Sequence, residues 1–256
     1  LGVIGRETSE FIDFLAKSGQ KYWQILPVSP TDEYGSPYAG ISAFAGNINL
    51  LDQAAMEKVI SECDGPQSKR AAEYQAFLAR NSYWLDSFAA FRAIKDLLGE
   101  MVWQDWPKQY RNWSQELLER PELTQAIELH QKRQFAFDVI WGQTLAEARA
   151  KGIQIIGDMP MFVSEDSADV WAHPELFALD DTGHTELQAG APADAFSQDG
   201  QLWGNPTYDW QAHKDEGYRW WIERFRRSFY LYDYTRLDHF IGFTSYYAIE
   251  QGKTAA

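Results

Sequence analysis

Two short apolar segments, each followed by an aspartate, constrain the fold of this chain more than any other feature. Residues 153–157 lead into Asp158, and residues 234–237 lead into Asp238. A helical pattern precedes each segment, so that strands and helices alternate along the chain. Alternation of this kind indicates a parallel sheet, in which the carboxyl ends of the strands share one edge. The sequence therefore predicts an α/β fold with two carboxylates close together.

Two α/β architectures agree with this pattern. A (β/α)₈ barrel and a doubly wound sheet both place their ligands at the carboxyl ends of the strands. The chain contains neither of the glycine-rich loops that bind nucleotide phosphates, which argues against nucleotide chemistry. The alternation with strand-end aspartates favours the barrel.

The remaining patterns predict the order of the other elements. A helix capped by Thr8 ends at Gly19, and a short buried strand follows over residues 22–26. A turn-rich loop over residues 29–47 has the length of a functional loop. Residues 52–110 are helical and rich in tryptophan, which indicates an inserted helical subdomain.

Two further helices and a second long loop complete this order. Apolar residues of one helix fall on a single face, and they are Phe137, Ile140, Trp141, Thr144, Leu145 and Ala148. A long loop is predicted over residues 159–210. The next helix is expected to pack through Trp221, Ile222, Phe225 and Phe229.

Composition excludes several classes of function. The net charge of −14 disfavours nucleic acid and anionic membranes as partners. The chain has no apolar run of about 18 residues, so we expect no transmembrane helix. It shows no signal peptide, and the single Cys63 cannot form an internal disulfide, so a cytoplasmic location is expected. The five histidines lack paired ligand spacing, and we predict neither a metal site nor a cofactor.

Arg236 and Asp238 are the residues whose spacing carries the clearest chemistry. Side chains two positions apart on a strand lie on the same face. The guanidinium can therefore orient the carboxylate and favour its charged form, which suits a nucleophile and not a general acid. The spacing alone also fits an ordinary ion pair without a catalytic role.

Longer stretches of sequence are more specific. They are residues 22–27 with 34–38 and 42–47, residues 156–160 with 166–171, residues 200–206 with 208–210, and residues 236–240 with 242–243. In this order they resemble the amylomaltase (4-alpha-glucanotransferase) family, glycoside hydrolase family 77. The resemblance implies a (β/α)₈ TIM barrel with an inserted helical subdomain, of which this chain holds a partial barrel, about strands 2 to 4. It implies segments at 1–51 (barrel), 52–134 (helical insertion) and 135–256 (barrel).

The resemblance also implies roles for individual residues. Asp238 is the catalytic nucleophile and Arg236 orients it, while Asp158 shapes the donor subsite. The residues expected to contact the glucan are Ser36, Tyr34, Tyr38, Trp203, Asn205, Asp194, Phe196 and His239. Trp203 is expected in a loop, Tyr38 near the donor sugar and Tyr34 at an outer contact. The family's acid/base Glu is expected beyond Ala256.

The function that the resemblance implies is transfer of α-1,4-glucan segments by a retaining double displacement. The substrates are α-1,4-glucans or maltooligosaccharides. An α-glucan hydrolase on the same barrel and an inactive glucan-binding fragment are the two alternatives. Because the acid/base Glu is expected outside the chain, residues 1–256 alone are expected to be inactive.

Overall fold

A parallel sheet of three strands carries both aspartates. The computed structural model describes residues 2–32, 35–65, 68–193, 195 and 198–255. The strands are β1 (Tyr22–Gln24), β2 (Gln154–Met159) and β5 (Tyr234–Leu237), in the order β1-β2-β5. In this register Asp158 lies opposite Arg236. The α/β fold predicted from the alternation is confirmed, with β2 at the centre of the three strands.

Helices connect and cover these strands. Their bounds are α1 (Arg6–Lys17), α2 (Gln53–Ser61), α3 (Ala71–Leu98), α4 (Pro121–Ala150), α5 (Ala168–Ala172), α6 (Trp210–Asp215) and α7 (Arg219–Leu231). Short 3₁₀ helices lie at Ile48–Leu50, Trp103–Asp105, Gln115–Glu119, Pro174–Leu176 and Phe240–Phe243. The long helices α3 and α4 pack against each other. The three-segment division of the chain stays a prediction, and α4 runs through its boundary at 134/135.

The prediction of one long loop over residues 159–210 is wrong. This segment contains α5 and two strands, β3 (Leu187–Ala191) and β4 (Gln201–Pro206). Together with β6 (Tyr247–Glu250) they form an antiparallel sheet in the order β4-β3-β6. Gly190 and Gly204 interrupt the apolar pattern of these short strands, so that the sequence there indicates turns and not strands. Trp203 accordingly lies on β4 and not in a loop.

The two predicted helix faces had different outcomes. All six apolar residues predicted for the face of α4 are buried. In α7, Trp221 is buried and Phe225 packs against the core as predicted, whereas Ile222 and Phe229 are 44% and 62% exposed. The buried face of α7 also includes Arg224 and Arg227. A prediction from apolar residues alone misses part of the buried face of α7, because two of its buried side chains are charged.

The segments at the amino-terminal end also depart from prediction. Helix α1 begins at Arg6, and Thr8 lies inside it, donating from Oγ1 to the carbonyl of Val3. Strand β1 ends at Gln24, and Tyr22 is 54% exposed instead of buried. Strand β1 pairs with β2 along one side only within the described residues, which leaves its outer surface open. None of the described helices is long and apolar enough to cross a membrane.

Gly157, directly before Asp158, is a position where the fold leaves no room for a side chain. A Cβ there would lie 2.2 Å from Cδ2 of Tyr232. We predict that Gly157→Ala lowers the free energy of unfolding of the complete protein by about 1–3 kcal/mol, because the buried Tyr232 ring must move. Urea unfolding would measure it. Gly142→Ala in α4, where a Cβ meets nothing within 4 Å, is the matched control and should be neutral or stabilising. Equal stability of both variants would contradict the prediction.

His213 gives the fold a dependence on pH. Its fully buried ring lies 5.3 Å from the Tyr208 ring and 5.5 Å from the Trp210 ring. Burial lowers the pKa of His213 and outweighs the opposing effect of Glu216. The folded state thus favours the neutral ring, whereas the unfolded chain takes up a proton near pH 6.5. The stability linked to this ring is present above pH 6.5 and is lost as the pH falls below it.

We therefore predict that His213→Phe makes the melting temperature less dependent on pH. Between pH 7.5 and 5.5 the complete wild-type protein should lose more thermal stability than the variant, because phenylalanine cannot take up a proton. Calorimetry at several pH values would measure the difference. Parallel losses in both proteins would show that His213 does not carry this dependence.

Candidate active site

Arg236 joins the two aspartates at the carboxyl edge of the parallel sheet. Its Nη1 donates to Asp158 at 2.8 Å (Oδ1) and 2.9 Å (Oδ2). Its Nη2 donates to Oδ1 of Asp238 at 2.7 Å. One guanidinium thus contacts two carboxylates, and it fixes the direction of both.

The backbone places these three residues. Asp158 and Arg236 are direct neighbours in the β2–β5 register, and the amide of Asp238 donates to the carbonyl of Met159 at 3.1 Å. Arg236 and Asp238 lie two positions apart, so their side chains share a face as the sequence predicts. The contact between Arg236 and Asp158 depends on the register, which the sequence does not give.

Burial distinguishes the two carboxylates. The side chain of Asp158 is 3% exposed, whereas that of Asp238 is 30% exposed. Asp158 therefore lies behind Arg236 and Tyr38, and Asp238 is the carboxylate that faces the open side. Of these two groups, Asp238 is the one that an incoming molecule can reach directly.

Tyr38 completes the hydrogen bonds of the buried carboxylate. Its hydroxyl donates to Oδ2 of Asp158 at 2.7 Å. Burial, and then this hydrogen bond, raise the pKa of Tyr38 to about 12, so it stays a neutral donor. The pKa of Arg236 is also raised, chiefly by its hydrogen bond to Asp158, so the positive charge between the carboxylates is retained.

Asp238 opens onto a cleft of about 340 Å³. Its lining brings together six of the residues predicted for the site, which are Ser36, Tyr38, Trp203, Asn205, Asp238 and His239. Pro160, Met161 and Phe162 also line it, and sequence reasoning did not assign them. They directly follow β2, the strand that carries Asp158, and this position is the sequence signal by which they could have been identified.

Aromatic rings form one wall of the cleft. The Trp203 and His239 rings meet edge to face with centroids 5.1 Å apart, and Phe162 lies 6.1 Å from Trp203. His239 adopts a left-handed backbone conformation with φ +44°, which is uncommon outside glycine and recurs at functional sites. Its buried Nε2 has no hydrogen-bond partner among the described residues. The wall thus combines flat apolar faces with a polar nitrogen.

Two polar residues complete the lining. The buried Asn205 donates from Nδ2 to the carbonyl of Val163 at 2.8 Å, which ties β4 to the segment after β2. The Oγ of Ser36 accepts from the amide of Tyr38 at 3.3 Å and shapes the turn before it. Three predicted site residues, Tyr34, Asp194 and Phe196, lie outside the residues that the structure describes.

This arrangement suits a neutral, hydroxyl-rich ligand. The cleft offers aromatic faces, hydrogen-bonding groups and one accessible carboxylate beside a guanidinium. Within the described ranges no cluster of His, Cys, Asp or Glu side chains has the composition of a metal site. A carboxylate at this place has the geometry to approach an electrophilic carbon held against the aromatic wall.

The chain is similar in sequence to known proteins of one family. The family model described as 4-alpha-glucanotransferase matches residues 1–63 and 52–256. The chain is 38% identical to a 4-alpha-glucanotransferase of Thermus thermophilus, over 97% of this chain and 57% of that protein. It is 39% identical to one of Streptococcus pneumoniae, over 100% of this chain and 58% of that protein. The chain thus spans less than two thirds of the length of these relatives.

Two solved structures have a fold similar to that of this chain. An amylomaltase from Streptococcus agalactiae in complex with acarbose superposes with a TM-score of 0.87 at 38% identity, over 100% of this chain and 59% of that one. An amylomaltase from Corynebacterium glutamicum reaches a TM-score of 0.79 at 17% identity, over 100% of this chain and 40% of that one, a likeness of fold alone. With a family model that matches along its whole length and relatives above 30% identity, the chain belongs to the 4-alpha-glucanotransferase family.

Proposed function

We propose that the protein containing this chain transfers a segment of α-1,4-glucan to the 4-hydroxyl of another glucan or of glucose. Its substrates are α-1,4-glucans or maltooligosaccharides, and its location is the cytoplasm. The observation that carries the proposal is the accessible Asp238 beside Arg236, at the mouth of a cleft lined by Trp203 and His239. The relatives named 4-alpha-glucanotransferase support it.

The reaction is a retaining double displacement. A carboxylate oxygen of Asp238 forms a bond to the anomeric carbon as the glycosidic C–O bond breaks. The departing oxygen takes its proton from an acid/base Glu, which we expect beyond Ala256 because of the family resemblance. The 4-hydroxyl of the acceptor then displaces Asp238 and returns a proton to that Glu. Residues 1–256 alone would be inactive, because they lack this group.

Each residue of the described site has a role in this proposal. Arg236 holds Asp238 in the direction of attack and keeps a positive charge beside it. Asp158 acts through its contacts to Arg236 and Tyr38, which together shape the donor subsite. Trp203, Asn205, His239 and Ser36 line the path of the glucan. Tyr34, Asp194 and Phe196 are assigned to the same path by the family resemblance.

The fold proposed for the complete protein is a (β/α)₈ barrel. Strands β1, β2 and β5 are parallel and lie side by side in the sheet in the same order as along the chain, and α4 and α7 lie between them in the sequence. Successive β-helix-β units of this kind build a barrel. We assign these strands to positions 2, 3 and 4 of the barrel, with α2 and α3 in the inserted subdomain.

Hydrolysis is the competing reaction at the same site, and it differs only in the molecule that accepts the glucosyl group. Incubation with maltotriose separates the two. A transferase redistributes maltotriose into glucose and longer oligomers, whereas a hydrolase releases glucose and maltose only. If the complete protein neither redistributed nor hydrolysed maltotriose, only a glucan-binding role would remain, and the proposal would be overturned.

We predict that Asp238→Asn in the complete protein lowers maltotriose disproportionation by about 10³-fold or more, because an amide cannot replace the attacking carboxylate. Product formation measured by chromatography would test this. Asp181→Asn, which makes the same change at an exposed position, is the matched control and should keep full activity. An Asp238→Asn variant with a tenth of normal activity would not have lost its nucleophile.

We predict that Trp203→Ala raises KM for maltotriose about tenfold, equivalent to about 1.4 kcal/mol, because the cleft loses a flat face for the sugar. Trp203→Phe keeps an aromatic face and should restore most of the affinity. Steady-state kinetics on the folded variants would measure the effect. If Trp203→Ala kept a normal KM, the indole would serve packing alone.

A further inference from the structure

The wall of the cleft is held from outside by helix α7. Residues 160–163 directly follow β2, the strand that carries Asp158, and Pro160, Met161 and Phe162 line the cleft. The carbonyl of Met161 accepts from Nη1 of Arg224 at 2.9 Å and from the hydroxyl of Tyr208 at 2.7 Å. The carbonyl of Pro160 accepts from Nη2 of Arg224. Two adjacent carbonyls of the wall are thus bound by one guanidinium.

The surroundings of Arg224 are unusual for a buried cation. The residue is 2% exposed, and its guanidinium carbon lies 5.1 Å from the ring centres of both Trp220 and Trp221. No carboxylate lies within 4.0 Å of it in the described part of the chain. Its hydrogen bonds to Pro160, Met161 and Tyr208 all go to neutral oxygens. The buried Asp169 accepts from Trp220 Nε1 at 3.2 Å and interacts electrostatically with Arg224.

Arg227, one turn further along α7, shows what an ordinary buried arginine looks like here. It is 4% exposed and forms an ion pair with Asp138, at 2.7 Å from Nη2 to Oδ1. Its Nε donates to the carbonyl of Phe44 at 2.9 Å. Burial of a charge without a paired charge is costly. Arg224 is nevertheless buried among aromatic rings, and its guanidinium donates hydrogen bonds to the two carbonyls of the cleft wall.

These contacts act on the rings that face the ligand. Phe162 follows Met161 in the chain and stacks on Tyr208, with ring centroids 5.7 Å apart and planes at 14°. It also contacts His239, at 6.3 Å between centroids. The planar fork of arginine can direct two nitrogens to two adjacent carbonyls, which the single ammonium of lysine cannot do in the same geometry.

We propose that Arg224 is a positioning residue for the ligand-facing wall of the cleft, which holds the carbonyls of Pro160 and Met161 and so fixes Phe162 against Trp203 and His239. The inference deepens the proposed glucanotransferase function and rests on it for its kinetic readout. Arg224 does not contact the reacting atoms. Its effect reaches the glucan through the position of the wall.

The test compares one substitution at two buried arginines of one helix. In the complete protein, Arg224→Lys should raise KM for maltotriose about tenfold while kcat changes less than threefold. Arg227→Lys, which keeps its charge beside Asp138 and lies behind another loop, should leave KM within twofold of wild type. Binding of acarbose, followed by tryptophan fluorescence, should weaken in parallel with KM for Arg224→Lys only. This second readout does not require turnover.

The outcomes separate the two proposals. If the wild-type protein neither redistributes maltotriose nor binds acarbose, the proposed function fails. If it does both and Arg224→Lys matches Arg227→Lys in KM and acarbose affinity, the positioning role of Arg224 is overturned. Should Arg224→Lys not fold, Tyr208→Phe, which removes the second donor to Met161 together with one acceptor of Arg224, decides the matter. A raised KM in Tyr208→Phe supports the inference, and an unchanged KM overturns it.

Discussion

The bridge that Arg236 forms between Asp158 and Asp238 is the interaction on which the site depends. Two carboxylates this close repel each other, and a cation between them turns the repulsion into a fixed geometry. The bridge in turn depends on the register of two parallel strands, because a shift by one residue would turn Arg236 to the other face of the sheet. Packing that fixes the register, such as the Tyr232 ring against Gly157, therefore acts on the site as well.

Local patterns predicted the parts of this site that lie within one strand. The two-residue spacing of Arg236 and Asp238 was enough to place their side chains together, and the strand-end positions of both aspartates identified the edge of the sheet. The hydrogen bonds from Arg236 and Tyr38 to Asp158 join segments far apart in sequence, and no local pattern encodes them. The alignment of both aspartates at one edge was predictable, and the division into a buried and an accessible carboxylate was not.

The errors in the predicted elements also have physical causes. Strands β3 and β4 were missed because Gly190 and Gly204 interrupt their apolar pattern, although Gly190 pairs with Leu202 in the antiparallel sheet. The buried face of α7 was misplaced because it includes two arginines, whose long apolar stems and aromatic neighbours allow them to be buried. Strand β1 was expected to be buried, and its outer side is open in the described chain. Hydrophobicity alone does not encode any of these three features.

Helix α7 binds the cleft wall and a second segment through their main chain, since Arg224 donates to the carbonyls of Pro160 and Met161 and Arg227 donates to the carbonyl of Phe44. A main-chain acceptor is present whatever side chain the residue carries. These hydrogen bonds therefore do not depend on which side chains stand at the three positions, provided that the backbone path is kept. The two arginines have no such freedom, because the donors are their own guanidinium groups. The positions of both bound segments are thus specified from α7, by two side chains that belong to neither segment.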